Sequence, residues 1–63
     1  MMEIEVGDVF KYGIFLFQVT EKIDFFNIKC NIIYNKSVVT TSNEHTNTLI
    51  KMRKISSLEK ELI

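Results

Sequence analysis

Residues 14–34, IFLFQVTEKIDFFNIKCNIIY, decide the fold. In the second half of this stretch Ile28, Cys30, Ile32 and Tyr34 alternate with Lys29, Asn31, Ile33 and Asn35. A period of two sends one apolar set to a core and leaves the other set facing water. In the first half Phe15, Phe17 and Val19 share one face, while Ile14 and Leu16 occupy the other until Gln18 and Thr20 turn it polar. A strand apolar on both faces at one end requires cover on both sides there, from sheet curvature, from the C-terminal segment or from another chain. β-Branched and aromatic residues fill both halves and the chain has no proline, so nothing confines either half to a sheet edge. Two long strands turning at residues 24–27 are predicted.

Outward from this hairpin, residues 2–6 alternate with Ile4 and Val6 inward and Glu3 and Glu5 outward, which predicts a short first strand. Gly7 and Asp8 break it as a turn or bulge, residues 9–12 resume extended structure, and Gly13 makes a second break. With glycine only at these two places, unusual backbone angles are expected only there. Asn35, Lys36 and Ser37 form the next turn, leading into a β-branched strand over residues 38–41. Residues 42–47, SNEHTN, carry no apolar side chain and read as a loop. The last strand is predicted over residues 48–55, with Ile50 and Met52 on one side and Leu49, Lys51 and Arg53 on the other. If first and last strands are neighbours, Glu3 and Glu5 face Lys51 and Arg53, each pair contributing roughly 0.2–1 kcal/mol and closing the sheet into a barrel. Ser56 and Glu59 match a capping box and Leu58 and Leu62 are four apart, so a short C-terminal helical turn is expected to lie on the barrel mouth.

Sixty-three residues make a single domain near the lower limit at which a hydrophobic core suffices, with stability on the order of a few kcal/mol. Eight basic and eight acidic side chains balance, so no global field draws the chain to nucleic acid or anionic lipid. Cys30 has no second cysteine to bond and falls on the core face, where an inert thiol is expected, in keeping with a reducing compartment. The longest apolar run, residues 14–17, is far too short to span a bilayer. The opening MMEIEVGD is acidic where a signal peptide is basic, so a cytoplasmic protein without membrane attachment is expected. Ile, Asn and Lys supply 21 of the 63 residues, and lysine outnumbers arginine seven to one. That bias suits coding sequence from an AT-rich genome, a phage or a low-GC bacterium.

Catalytic chemistry finds little support. His45, the lone histidine, sits beside Glu44 in the polar segment without a nucleophile in sequence reach, and reads as a solvated residue. One histidine and one cysteine on different elements do not make a zinc site, and the two glycines are not spaced as a phosphate-cradling loop. No catalytic residue, metal or cofactor is therefore assigned. Lys51, Arg53 and Lys54 form a basic cluster able to contact phosphates, which gives a nucleic-acid-binding alternative, weakened by zero net charge and a single arginine. Phe25 and Phe26 stand out more. A turn draws Gly, Asn, Asp or Ser rather than two aromatics, and adjacent residues on extended backbone point to opposite sides. One can fold back over the end of the barrel, leaving the other exposed as an interface anchor. With Tyr12 or Ile23 nearby, this tip is the expected partner-binding or self-association patch.

The run Val6-Gly7-Asp8-Val9-Phe10, followed by Gly13, Phe17 and Val19, resembles the opening of bacterial and phage small-barrel domains of SH3-like type, in which such a turn precedes a long aromatic-rich hairpin. The resemblance implies an all-β, five-stranded SH3-like small barrel. SH3 domains proper use a tryptophan and an acidic loop for proline-rich ligands; this chain has no tryptophan, so that ligand class is not implied. Small barrels serve proteins, peptides, DNA and RNA alike. The expected function is a non-enzymatic protein-binding module, for instance a small phage protein occupying a host protein. The alternatives are a nucleic-acid-binding barrel and a homo-oligomer packing through Ile14 and Leu16.

Overall fold

Period-two alternation over Phe17, Val19, Ile28 and Cys30 becomes the floor of the core in the computed structural model, which describes residues 4–55. Five strands and one short helix follow in the order β1 (Val9–Tyr12), β2 (Phe15–Lys22), β3 (Asn27–Tyr34), β4 (Ser37–His45), α1 (Thr46–Ile50) and β5 (Arg53–Lys54). They form one antiparallel sheet in the order β4-β3-β2-β1-β5. The long β2–β3 hairpin is as expected. The expectation set residues 2–6 beside residues 48–55; the strand beside β5 is instead β1, with Phe10 opposite Lys54 and Lys11 opposite Arg53. The sheet is nevertheless not closed, because β4 and β5 remain as its two edges. At two residues β5 offers too little ladder to continue the pairing round to β4.

The predicted strand over residues 2–6 is not present in its described part. Residues 4–8 instead form a turn in which the Asp8 N–H donates to the Glu5 carbonyl (3.0 Å) with Gly7 at φ +96°. The Gly7 N–H donates to the Val19 carbonyl (2.9 Å) and the Val19 N–H to the Asp8 carbonyl (2.8 Å), so the turn is bonded to β2 beyond the end of β1. Gly13, at φ +60°, takes the first central position of a two-residue turn in which Tyr12 pairs with Phe15. This is where hairpins that follow the twist of a sheet require a glycine. Positive φ is not confined to the glycines. Asn35 (φ 51°) and Lys36 (φ 66°) both adopt it in the turn that pairs Tyr34 with Ser37, since a two-residue loop of this hand needs two left-handed residues.

Two segments depart from their predicted states. The polar stretch 42–47 is strand as far as His45, because β3 is long enough to offer it partners: Ser42 lies opposite Cys30, Glu44 opposite Ile28 and His45 opposite Asn27. An edge strand tolerates polar side chains on both faces, so hydrophobicity gives no sign of it. Thr48, Leu49 and Ile50 are helical rather than extended, and the strand that follows is reduced to Arg53–Lys54. Leu49, predicted to face outward, is completely buried. Five residues do not hold a helix alone. Here α1 is pinned by Leu49 in the core, by the Thr46 N–H donating to the Phe26 carbonyl (2.9 Å), and by the Asn47 N–H donating to Nδ1 of His45 (3.0 Å).

The core joins Phe10, Phe17, Val19, Ile28 and Cys30 on the sheet with Ile4 and Leu49 above it, flanked by half-buried Ile32 and Met52. A bulge in β4 leaves Val39 between Val38, opposite Ile33, and Thr40, opposite Ile32. Ile33, expected to face water, is buried, with Leu16 and Val38 directly opposite on its two neighbouring strands, while Tyr34 is exposed. The both-face apolar character of residues 14–17 is thus shared by this outer row. The C-terminal helical turn expected around Ser56, Leu58, Glu59 and Leu62 lies outside the described residues, as does Glu3.

Replacing Lys36 by Gly removes a left-handed side chain that costs about 1–2 kcal/mol, less the extra freedom glycine has in the unfolded chain. A net gain of ~0.5–1 kcal/mol is expected, read as a rise of a few degrees in thermal midpoint. Leu49→Ala should cost ~2–5 kcal/mol, as much as a domain of this size possesses, so that variant should be largely unfolded by circular dichroism at room temperature.

Candidate protein-interaction site

The β2–β3 turn holds two aromatics because Asp24 does the turning with its side chain. Its Oδ1 accepts from the backbone N–H of Phe26 (2.8 Å) and of Asn27 (2.9 Å), and the Asn27 Nδ2 amide reaches both carboxylate oxygens at 3.0 Å. The Asn27 carbonyl accepts in turn from the N–H groups of Ile23 (3.0 Å) and Asp24 (3.2 Å). The conformation needs nothing from the side chains at positions 25 and 26 themselves. The Asn27 amide first, then the Phe26 N–H, hold the Asp24 carboxyl below its ordinary 3.8, with the Asn27 N–H and nearby His45 adding to the effect against a smaller desolvation.

Neither Phe25 nor Phe26 folds back over the core. Phe25 is 79% exposed and Phe26 56%. Their rings meet edge to face at 5.0 Å, and Phe26 stacks on the His45 ring at 5.8 Å with 23° between planes. His45 is therefore no free loop residue. It ends β4, caps α1 through Nδ1 and carries the outer side of the Phe26 ring. Ile23, also exposed, flanks the same turn. The site thus comprises Ile23, Phe25 and Phe26 on a turn whose backbone is bonded on both sides, with His45 at the end of β4 stacked on Phe26. Adjacent phenylalanines signalled it in the sequence; the contribution of His45, nineteen residues on, depended on strand register alone.

Tyr12 does not belong to it. It sits in the β1–β2 turn at the far end of β2, whose eight residues span roughly 25 Å. There it faces Phe15, which in turn lies 5.8 Å from the Tyr34 ring, and Ile14 and Val38 are exposed at the same end. This second aromatic group arises because two tight turns, at residues 12–15 and 34–37, place their flanking residues on adjacent strands.

The basic cluster is divided. Lys51 is the C-cap of α1, while Arg53 and Lys54 point to opposite sides of β5. Lys54 lies opposite Phe10 and pairs with the Asp8 carboxylate at 3.4 Å, whereas Arg53 lies opposite Lys11. Asp8, largely buried, also accepts the Glu5 N–H at 2.9 Å. Among the described residues, Asp8, in the turn before β1, brings a carboxylate to β5.

Cys30 is buried, and burial first, then the neighbouring Glu44 carboxylate, push its thiol up to about 11, so it remains protonated at neutral pH. The Glu44 carboxylate accepts a hydrogen bond from the Ser42 hydroxyl. Among the described residues no group of three His, Cys, Asp or Glu side chains is placed to hold a metal ion, and no helix is long and apolar enough to cross a membrane. Comparisons of the chain with protein-family models, with curated proteins and with solved structures find no match.

The lowered pKa of Asp24 fixes a sign. Its contribution to stability is complete above the unfolded carboxylate value of ~3.9 and is lost as pH falls through the lower folded value. Acid titration followed by the chemical shifts of residues 23–27 should show this turn loosening in that acid window in the wild type. In Asp24→Asn the acid-dependent component should vanish.

Proposed function

We propose that this chain is a non-enzymatic protein-binding module built on an open five-stranded sheet with the strand order of an SH3-like domain, with Ile23, Phe25 and Phe26 as the partner-facing surface. Support for the fold is the meander of four antiparallel strands, a helical turn, and a fifth strand that crosses to pair with the first. The observation that carries the function is the exposure of Phe25 and Phe26 on a turn held by Asp24. Most exposed apolar side chains on a small protein stand singly. Two aromatics on a prebonded turn lose little freedom when they dock, and aromatic residues are over-represented among the anchors that dominate binding energy. The bias toward Ile, Asn and Lys supports a phage or low-GC bacterial source, and with it the narrower reading of a small phage protein that occupies a surface on a host protein. Lys51, Arg53 and Lys54 support a nucleic-acid role less well, since they do not share a face.

The test is affinity capture from a low-GC bacterial lysate with nuclease present, comparing wild type with Phe25→Ser/Phe26→Ser. A specific protein should be retained by the wild type at high salt, because apolar anchoring is little screened. The double variant should bind it at least ~30-fold more weakly, with an unchanged circular dichroism spectrum. Equal capture by both proteins, or capture abolished by nuclease, would count against the assignment.

A further inference from the structure

We infer that the end of the sheet opposite the Phe25–Phe26 turn binds single-stranded nucleic acid, its bases stacking on a row formed by Tyr12, Phe15 and Tyr34. Within the core, Phe10, Phe17 and Ile32 lie opposite one another on β1, β2 and β3. Two residues further out on each strand, and so on the same face, come Tyr12, Phe15 and Tyr34. Tyr12 pairs directly with Phe15, and the Phe15 ring lies 5.8 Å from that of Tyr34. This outer row is 64%, 38% and 46% exposed, whereas Phe10 and Phe17 are buried. With neighbouring strands roughly 4.8 Å apart, the three rings span about 10 Å across the sheet, room for two or three bases. The row does not rest on the Phe25–Phe26 surface, which lies roughly 25 Å away at the other end of β2.

Charge selects this occupant. The balance of eight basic and eight acidic side chains conceals a segregation along the sheet. Among the described residues the carboxylates are Glu5, Asp8, Glu21, Asp24 and Glu44. Glu21, Asp24 and Glu44 belong to the half of the hairpin nearer the Phe25–Phe26 turn, and Glu5 and Asp8 to the turn bonded to Val19. The half that carries the aromatic row, residues 10–18 and 31–41, has Lys11 and Lys36 and no acidic side chain. Lys11 adjoins Tyr12 and Lys36 follows Tyr34 by two residues, so a lysine stands next to each outer ring along the chain. A positive end draws a polyanion, and aromatic rings among cations suit a single strand because every base has a face to stack. Lys36 carries a second, independent mark. It holds φ 66° in a two-residue turn whose second position, after asparagine, normally goes to glycine. A side chain kept at a strained backbone angle points to a use for that side chain. An acidic peptide would also feel the lysines, but an extended peptide gains its affinity along a strand edge, and this row crosses three strands on a face.

The chain has no tryptophan and its two tyrosines are Tyr12 and Tyr34, so its intrinsic emission reports on this row alone. Titration with an oligomer of deoxythymidine should quench that emission with a Kd of about 10–300 μM at low salt. Affinity should fall about fivefold between about 50 and 150 mM salt, the slope of two phosphate contacts. By anisotropy of a labelled oligomer, Tyr12→Leu/Tyr34→Leu should bind about tenfold or more weakly, whereas Tyr12→Phe/Tyr34→Phe should stay within about threefold of wild type. Lys36→Gly should bind a few-fold more weakly although its fold is the more stable. Phe25→Ser/Phe26→Ser should bind as the wild type does, which separates this surface from the protein-binding one. Absence of quenching up to about 1 mM oligomer overturns the inference. So does unchanged affinity in the leucine variant, loss of binding in Phe25→Ser/Phe26→Ser, or quenching by polyglutamate as strong as by the oligomer. Should the leucine variant fail to fold, Lys36→Gly decides.

Discussion

A single curved sheet has one apolar face, and the whole structure depends on that face being covered from above. Phe10, Phe17, Val19, Ile28 and Cys30 supply the face; Ile4 before the first strand and Leu49 after the fourth supply the cover. Burying a leucine or isoleucine is worth ~1.5–3 kcal/mol. The ion pair of Lys54 with Asp8 at 3.4 Å, which ties the last strand to the turn before the first, has a partly exposed lysine and belongs to the class worth at most ~1 kcal/mol. Hydrophobic cover therefore holds the segments before β1 and after β4 in place. This also accounts for a helix of only five residues: it exists to deliver Leu49.

The same economy shapes the exposed surface. Asp24 turns the β2–β3 hairpin with its carboxylate, which frees the two following positions from turn chemistry and lets them be aromatic. Because the Thr46 N–H bonds to the Phe26 carbonyl, the tip is joined to the start of α1, and hence to the element carrying Leu49. Core cover and exposed aromatics are thus connected through one backbone hydrogen bond. The polar inner side of β4, with Ser42 and Glu44 across from Cys30 and Ile28, marks where the apolar face ends.

Legibility followed periodicity. Residues 15–22 and 27–34 alternate strongly and were readable as strands, as were the breaks at Gly7 and Gly13 and the turn at residues 35–36. Residues 42–45 were not, because an edge strand has no buried face to impose a hydrophobic period. Residues 46–50 were not, because one buried leucine in five residues has no period at all. Phe25, Phe26 and Ile23 were recognisable as a candidate surface from chemistry that contradicts its local backbone. Tyr12 was misassigned to that surface, since nearness along a chain says little about which end of a strand a residue occupies.

By itself the sequence determined the all-β class, the central hairpin, the burial of Cys30 and the presence of surplus aromatics at its turn, all of which follow from alternation and turn preference acting over a few residues. Only the tertiary structure decided that the sheet stays open, that Leu49 faces inward, that Asp8 meets the last strand, and that His45 stacks on Phe26. Each of those outcomes depends on register between strands distant in sequence. Register is set by bulges, turn hand and core volume together, and no single stretch of the chain contains all three.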